Sequence, residues 1–406
     1  MKILVVSQYF WPESFIVNGL VTELARQGHH VEVLTGLPNY PQGQFFKSYG
    51  FFKGPWFESY GNVNVHRVPL SPRRKGFVNL FVNYLSFIFF GIALGFFRIK
   101  NRPDVIFCYA PSPITSCLPA IFLKWVYKAP LSFWVQDLWP ESLQAVGAVQ
   151  SKLILRAVGW LVRFIYSQCD QILVQSEAFR DRVTKWNVES RKIHYVPNWA
   201  SAVAALGDEP EWTQELPQGF RIVFAGNVGK AQDMPTLIKA AEIVRLRHPQ
   251  IADIRWLIVG GGSERSFVQS ETKRLSLDDI VFTFGQKPNA DMPHLFKRAD
   301  VLLVILKDED IFALTVPAKI QSYMAAGRPL LAVLNGEGAR IVKTAHAGLT
   351  CAASSAEDLA RTVVQFYNMS NTDKEKLGKA GQDFFLEHFE QKKVVERINA
   401  LLESLL

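Results

Sequence analysis

Short β-branched apolar runs alternate along the chain with segments whose apolar residues recur every three or four positions. This is the pattern of βαβ units built on a parallel sheet. In residues 1–200 the runs KILVVSQ, HVEVLTG, VNVHRVP, DVIFCYA, LSFWVQD, QILVQS and KIHYVPN predict strands. Between the first two, the stretch Asn18 to Gln27 places Leu20, Val21, Leu24 and Ala25 on one helix face. The pattern restarts at RIVFAGN and continues through ADIRWLIVGGG, DIVFTFG, DVLLVIL, PLLAVL and LTC. Two Rossmann-like α/β domains in tandem, 1–199 and 200–384, thus account for nearly all 406 residues. The stretch Ala200 to Gly219, rich in Ala, Glu, Asp and Pro, is the expected linker. Residues 385–406 read as a helix free to cross back to the first domain.

One segment breaks the alternation. Phe77 to Phe97 is 21 residues without a charge and holds seven phenylalanines. Arg73, Arg74 and Lys75 precede it; Arg98, Lys100 and Arg102 follow. Its length matches a bilayer core of about 30 Å. Strands before and after it must join one sheet, however, and a span would separate them across the membrane. A helix lying in the membrane interface fits, with Phe87, Phe89 and Phe90 in lipid and the flanking cations at anionic headgroups. Asn79, Asn83 and Ser86 recur at helical spacing as a narrow polar stripe. The alternative is a helix buried inside the protein.

Charge sharpens this picture. Residues 1–200 carry a net +10 and residues 201–406 a net −2, so the basic excess belongs wholly to the first half. A negatively charged surface, lipid or nucleic acid, is its expected partner. With 49% hydrophobic and 20% charged residues the chain is globular, not disordered. Four separated cysteines, with no CxxC, exclude a zinc ribbon and fit a reducing compartment. The opening MKILVVSQYF reads as a strand, too short an apolar run for a signal peptide. The eight histidines form no ligand cluster and the acids no D-x-D, so no catalytic metal and no cofactor is expected.

Neither half has GxGxxG after its first strand, and there is no GxxxxGK[ST]. Two Rossmann-like domains without a dinucleotide motif suit nucleotide-sugar transfer. The specific pieces then come in order: MKILVVSQYFWPE with Asn18-Gly19, GHHVEVLT, WVQDLWPES, ILVQSEAFRDRV, VPNW, FAGNVGKAQDMPTLIKAA, WLIVGGG, FTFGQ and VPAKIQSYMAAGRPLLA. Together they resemble the GT-B glycosyltransferases of the large retaining family 4. The nearer resemblance is to bacterial O-antigen and capsule enzymes, notably N-acetyl-L-fucosamine transferases. The resemblance implies α/β GT-B architecture, two Rossmann-like domains facing a cleft, with acceptor on the first and nucleotide sugar on the second. Two departures stand out. Ser322 replaces the second Glu of the family's Glu-x7-Glu pair, and Asn227 and Gln232 stand where an Arg and a Lys grip the diphosphate, leaving Lys230 as the nearest cation.

Asp137, at the C-terminal end of a strand, marks where α/β sheets place ligands and where the family orients its acceptor. It could also cap the helix LWPESL. Pro317-Ala318-Lys319 opens a helix whose N-terminus suits a diphosphate, with backbone N–H groups of Thr315, Val316 and Ala318 and the charge of Lys319. Asp310, beside Glu309, is a candidate for sugar hydroxyls, or part of a solvated acidic run. Gly19, Gly226, Asn227 and Lys230 hold family positions near donor phosphates. The backbone of Gln286 and Lys287 holds a position near the base, and Ser322 one near the ribose. A lysine on a wet face and glycines that serve packing are the plain alternatives.

The leading expectation is a metal-independent, retaining hexosyltransferase on the cytoplasmic face of the inner membrane, peripheral or monotopic. It would move a sugar, N-acetyl-L-fucosamine by resemblance, from a UDP-sugar donor to a lipid-linked polyprenyl-diphosphate saccharide of O-antigen or capsule. A UDP-sugar 2-epimerase shares the architecture but needs no lipid-seeking segment. A nucleic-acid-binding protein would use the basic half, yet these cations flank apolar runs and form no basic stripe, so no nucleic acid is expected.

Overall fold

The computed structural model describes residues 1–145, 151–200 and 207–406; the expected linker falls partly outside them. The chain divides into two compact units, Met1–Asn198 with Gln391–Leu406, and Trp199–Glu390. The first unit runs β1 (Lys2–Val6), α1 (Ile16–Arg26), β2 (His30–Gly36), β3 (Phe57–Tyr60), β4 (Val63–Val68), α2 (Phe77–Arg98), β5 (Val105–Ala110) and α3 (Leu118–Tyr127). It continues with β6 (Leu131–Val135), α4 (Glu141–Ala145), α5 (Lys152–Gln168), β7 (Gln171–Val174), α6 (Glu177–Thr184) and β8 (Ile193–Tyr195).

Its eight-stranded sheet has the order β3-β4-β2-β1-β5-β6-β7-β8, parallel except for the β3–β4 pair. Helices cover both faces, which is why β5, β6 and β7 are buried at every residue and show no polar alternation. Seven of these strands stand where the apolar runs predict them. The eighth, β3, is the edge strand FESY, half-wet and without an apolar run.

The second unit holds α7 (Glu211–Gln214), β9 (Phe220–Ala225), α8 (Met234–Arg247), β10 (Ile254–Val259), α9 (Arg265–Arg274), β11 (Val281–Gly285), α10 (Met292–Lys297) and β12 (Val301–Ile305). Then come α11 (Asp310–Ala313), α12 (Ala318–Ala325), β13 (Leu330–Val333), α13 (Gly336–Thr344), β14 (Gly348–Cys351), α14 (Ala356–Asn368) and α15 (Asn371–His388). Its sheet order, β11-β10-β9-β12-β13-β14, is parallel throughout. The last helix, α16 (Gln391–Glu403), belongs to the first unit. The Gln171 amide donates to the Leu401 carbonyl (2.9 Å) and the Gln391 amide to the Gly19 carbonyl (3.1 Å).

In each sheet the strand order reverses once, between β1 and β5 in the first unit and between β9 and β12 in the second. Loops leaving the C-terminal strand ends part there and open a crevice.

The helix α2 is a surface helix: only 22% of its most apolar window is buried. Its orientation corrects two expectations. Asn83, Phe87, Gly91 and Gly95, spaced by four, form its inner stripe, so Phe87 is fully buried and faces no lipid. Phe90 is half-buried with its ring 5.7 Å from Phe51. Two of the three polar-stripe residues also turn inward, while Asn79 stays exposed. Asn83 accepts from the Gln8 amide (2.8 Å) and donates to the Ser71 carbonyl, while Ser86 Oγ accepts from the Ser71 N–H (2.9 Å). These groups satisfy loop backbone that would otherwise be buried unpaired. What faces outward is apolar: Val78, Phe81, Val82, Leu85, Phe89, Phe96 and Phe97.

Candidate active-site clusters

At the crevice of the first unit, side chains from six segments meet. Ser112, just past β5, stands beside both the Asp137 carboxylate and the Tyr84 hydroxyl and favours the ionised form of each. Asp137 lies two residues past β6, and α4 starts only at Glu141, so Asp137 stands in the loop beside Ser112 and not at a helix end. Burial pushes its carboxyl up to about 6. Arg73, from the β4–α2 connection, lies beside Tyr84 with its charge favouring the phenolate and sits 5.3 Å over the Tyr40 ring. Tyr40 packs against Tyr9 (5.7 Å) and Phe15 (5.4 Å), which stack on each other at 5.3 Å.

Glu13 holds this aromatic floor in place. Its Oε1 accepts from the backbone N–H groups of Asn39 and Tyr40 (both 2.7 Å) and its Oε2 from Phe10 (3.2 Å). It is buried, and its carboxyl is pushed up to about 7. A buried and a half-buried acid and a cation on aromatic walls suit a group carrying both hydroxyls and negative charge.

The cations flanking α2 divide accordingly. Arg73 belongs to this cluster. Arg74 and Lys75 are exposed before α2. Arg98 is half-buried, lying 4.9 Å over the Trp56 ring, and Lys100 is exposed. Gly19 is absent from the cluster: a Cβ there would come within 2.9 Å of the Gln391 amide, so its bare Cα serves helix packing.

The crevice of the second unit is built from glycine backbone and one lysine. Gly226, directly after β9, has φ +135°, which a side chain rarely adopts. A Cβ there would lie 2.7 Å from Lys319 Cε, so the lysine arches over this bare backbone. Gly260, after β10, passes so close to the Gly226 carbonyl that no Cβ fits. Lys319 is the second residue of α12, and its Nζ lies 4.4 Å from the Phe224 ring centroid. Burial pushes its ammonium down to about 8, and no carboxylate offsets that shift.

Around Lys319, Val316 and Ala318 lie at the start of α12, where N–H groups lack intrahelical acceptors. Thr315 corrects an expectation. Its N–H (3.2 Å) and its hydroxyl (3.1 Å) both go to the Phe312 carbonyl, so it has no N–H to offer. Ser322 Oγ donates to the Ala318 carbonyl (3.2 Å), leaving only acceptor capacity for a ribose.

Asn227 is exposed next to Gly226, and Lys230 opens a 3-10 turn, also exposed. Gln286 is exposed past β11, beside Gly261. Lys287 is turned onto the Trp212 ring (4.7 Å), whose Nε1–H donates to Asp291 (2.8 Å). Asp310 is exposed at the start of α11. Among the described residues no three His, Cys, Asp or Glu come together as a metal site. The sequence pattern left Tyr9, Tyr84, Ser112 and Trp212 unmarked; of these only Ser112 had a signal, its place right after a predicted strand.

Comparison with known proteins places these units in a known context. Residues 15–199 match the Glycosyl transferase 4-like domain and residues 219–369 the Glycosyl transferases group 1 domain. A Pseudomonas aeruginosa protein named as the glycosyltransferase WbjE is 26% identical over 71% of this chain and 70% of its own. An Escherichia coli K12 protein named as the colanic acid biosynthesis glycosyl transferase WcaI is 24% identical, covering 80% and 82%. Among solved structures, sucrose-phosphate synthase of Thermosynechococcus elongatus superposes with a TM-score of 0.73 at 17% identity, covering 100% of this chain and 98% of its own. HepE of Anabaena in complex with UDP gives 0.68 at 14% identity, with full coverage of both. These structural likenesses show a two-domain α/β GT-B fold with parallel sheets.

Proposed function

The chain is a family 4-like glycosyltransferase, and from that premise we propose that it builds a bacterial surface polysaccharide at the cytoplasmic face of the inner membrane. It transfers a sugar from a UDP-sugar to a polyprenyl-diphosphate-linked saccharide, with retention and without a metal. The observation that carries the reading is Lys319, a half-buried ammonium without a carboxylate partner among the described residues, set over the bare backbone of Gly226 at a helix start. Such a cation is completed by an anion, and a nucleoside diphosphate brings two. The solved HepE complex contains UDP and the relative WcaI is named for colanic acid biosynthesis, which favours that donor and product class. N-acetyl-L-fucosamine as the sugar rests on the sequence resemblance.

In the transfer, the acceptor oxygen bonds the sugar C1 as the C1–O bond to UDP breaks. The bonding pair leaves with the diphosphate, and the acceptor proton passes to it on the same face. Lys319 and the α12 N–H groups stabilise the charge that gathers on the leaving group. Asp137, ionised above about pH 6, accepts a hydrogen bond from the acceptor hydroxyl and polarises it.

The outward apolar face of α2 lies in the membrane interface and keeps the first unit near its lipid-linked acceptor. The test is a donor panel followed by transfer. UDP-sugars should raise the melting temperature more than GDP- or dTDP-sugars, and label should move to a polyprenyl-diphosphate saccharide in vesicles. Epimerised UDP-sugar formed without acceptor would replace this reading with an epimerase.

A further inference from the structure

The helix α5 has its own outward face, unlike that of α2. Gly159, Val162, Ile165 and Tyr166 are buried, while Leu153, Ile154, Trp160 and Phe164 point outward, Trp160 at 75% exposure. Two arginines, Arg156 and Arg163, share that outward side. Beside it, the turn after α6 carries Lys185 and Trp186. A Cβ on Gly159 would meet the Trp186 ring at 2.9 Å, so the glycine seats that indole against α5. Helix and turn enclose an open groove of about 580 Å³ lined by Arg156, Trp160, Arg163, Phe164, Lys185 and Trp186, and among the described residues no acid lines it. Among the described residues none of the three cations has an ion-pair partner within 4.0 Å.

This face continues toward α2. The Trp125 ring of α3, 54% exposed, lies 6.4 Å from Phe164, and Tyr127 of the same helix lies 5.9 Å from Phe96 of α2. We propose that α5 and the Lys185–Asn187 turn form a second lipid contact, a cationic, tryptophan-rimmed groove that takes the phosphate headgroup of an anionic membrane lipid. Three cations without acids complement phosphate, and indole rings flank the headgroup level of a bilayer. The outward Leu153 and Ile154 enter the acyl boundary. The inference rests on the reading that α2 lies in the interface; α5 then adds three cations to the attraction for anionic lipid that Arg74, Lys75 and Lys100 beside α2 supply.

The experiment is flotation of the full chain with phosphatidylcholine vesicles, with and without phosphatidylglycerol. Its second readout is quenching of Trp160 emission by brominated acyl chains, taken as the difference from Trp160→Phe. The triple variant Arg156→Gln, Arg163→Gln, Lys185→Gln alters exposed side chains only and should fold. It should lose about 100-fold in partition onto anionic vesicles, at about 1 kcal/mol per cation, and nothing on neutral ones. Trp160 should be quenched in the parent. If the triple variant binds anionic vesicles like the parent and Trp160 is not quenched, the α5 proposal falls. Loss of binding in Phe89→Ser, Phe97→Ser would then leave the α2 reading standing. A parent that binds no vesicle removes both. A triple variant whose main change is in oligomeric state marks the face as a protein contact, and that too overturns the proposal.

Discussion

The two crevices lie at the same topological place, the one reversal of strand order in each sheet, yet their chemistry is opposite. The first is walled by aromatic rings and holds two carboxyls that burial pushes up, Asp137 to about 6 and Glu13 to about 7. The second is floored by glycine backbone and holds one ammonium that burial pushes down to about 8. Desolvation acts alike on both, against whichever charge is present. Identical topology therefore supplies only the place; the side chains divide the labour into hydroxyl chemistry at one crevice and diphosphate binding at the other.

The largest effect should come from the acidic side. Asp137→Asn should lower turnover by roughly 100- to 10,000-fold, the usual share of a side chain that handles a proton. Its folded pKa lies above the unfolded value, so burying the ionised form costs stability near neutral pH, and protonation relieves that cost as pH falls through about 6. The variant should therefore melt at or above the parent's temperature at pH 7.5 and gain nothing near pH 5. A drop in both turnover and melting temperature would make Asp137 structural and erase the contrast.

Lys319→Ala should lower kcat/KM for the donor by about 10- to 100-fold, as expected for one charge-assisted contact. Asp137→Asn should leave donor affinity alone, and the pair of variants separates the two roles by a kcat-against-KM split. The same contrast predicts a bell-shaped pH profile. Below about pH 6 turnover should fall up to tenfold per unit as Asp137 takes its proton. Above about pH 8 donor kcat/KM should fall as free Lys319 loses its charge. Smallest of all is the effect of EDTA, which should leave the rate unchanged; a strict Mg²⁺ or Mn²⁺ requirement would mean the diphosphate is neutralised by more than Lys319.

What could be read from the chain follows from what is local. Thirteen strands carry a short apolar run and stand out, most plainly the central ones that are buried at every residue, while β3, wet at the sheet edge, shows none. Lys319 is legible because Pro317 and the apolar pattern behind it fix a helix start. Arg73 is not. In sequence it belongs with Arg74 and Lys75, and only folding brings Tyr40 and Tyr84 to it. The helix α2 misleads for a similar reason. Its polar stripe would face water on a free helix, but Asn83 and Ser86 are consumed by loop backbone, which turns the bare apolar side out. Thr315 fails on the shortest scale, since one turn of chain already takes its N–H.

The central claim is that the second unit's crevice binds a nucleoside diphosphate through Lys319. Thermal melting with saturating UDP tests it most directly, because a ligand at about 100 times its Kd stabilises by about 2.7 kcal/mol. UDP should raise the melting temperature of the parent and of Asp137→Asn by similar amounts, and that of Lys319→Ala much less. An equal shift in Lys319→Ala, or no shift in the parent with any nucleoside diphosphate, would contradict it.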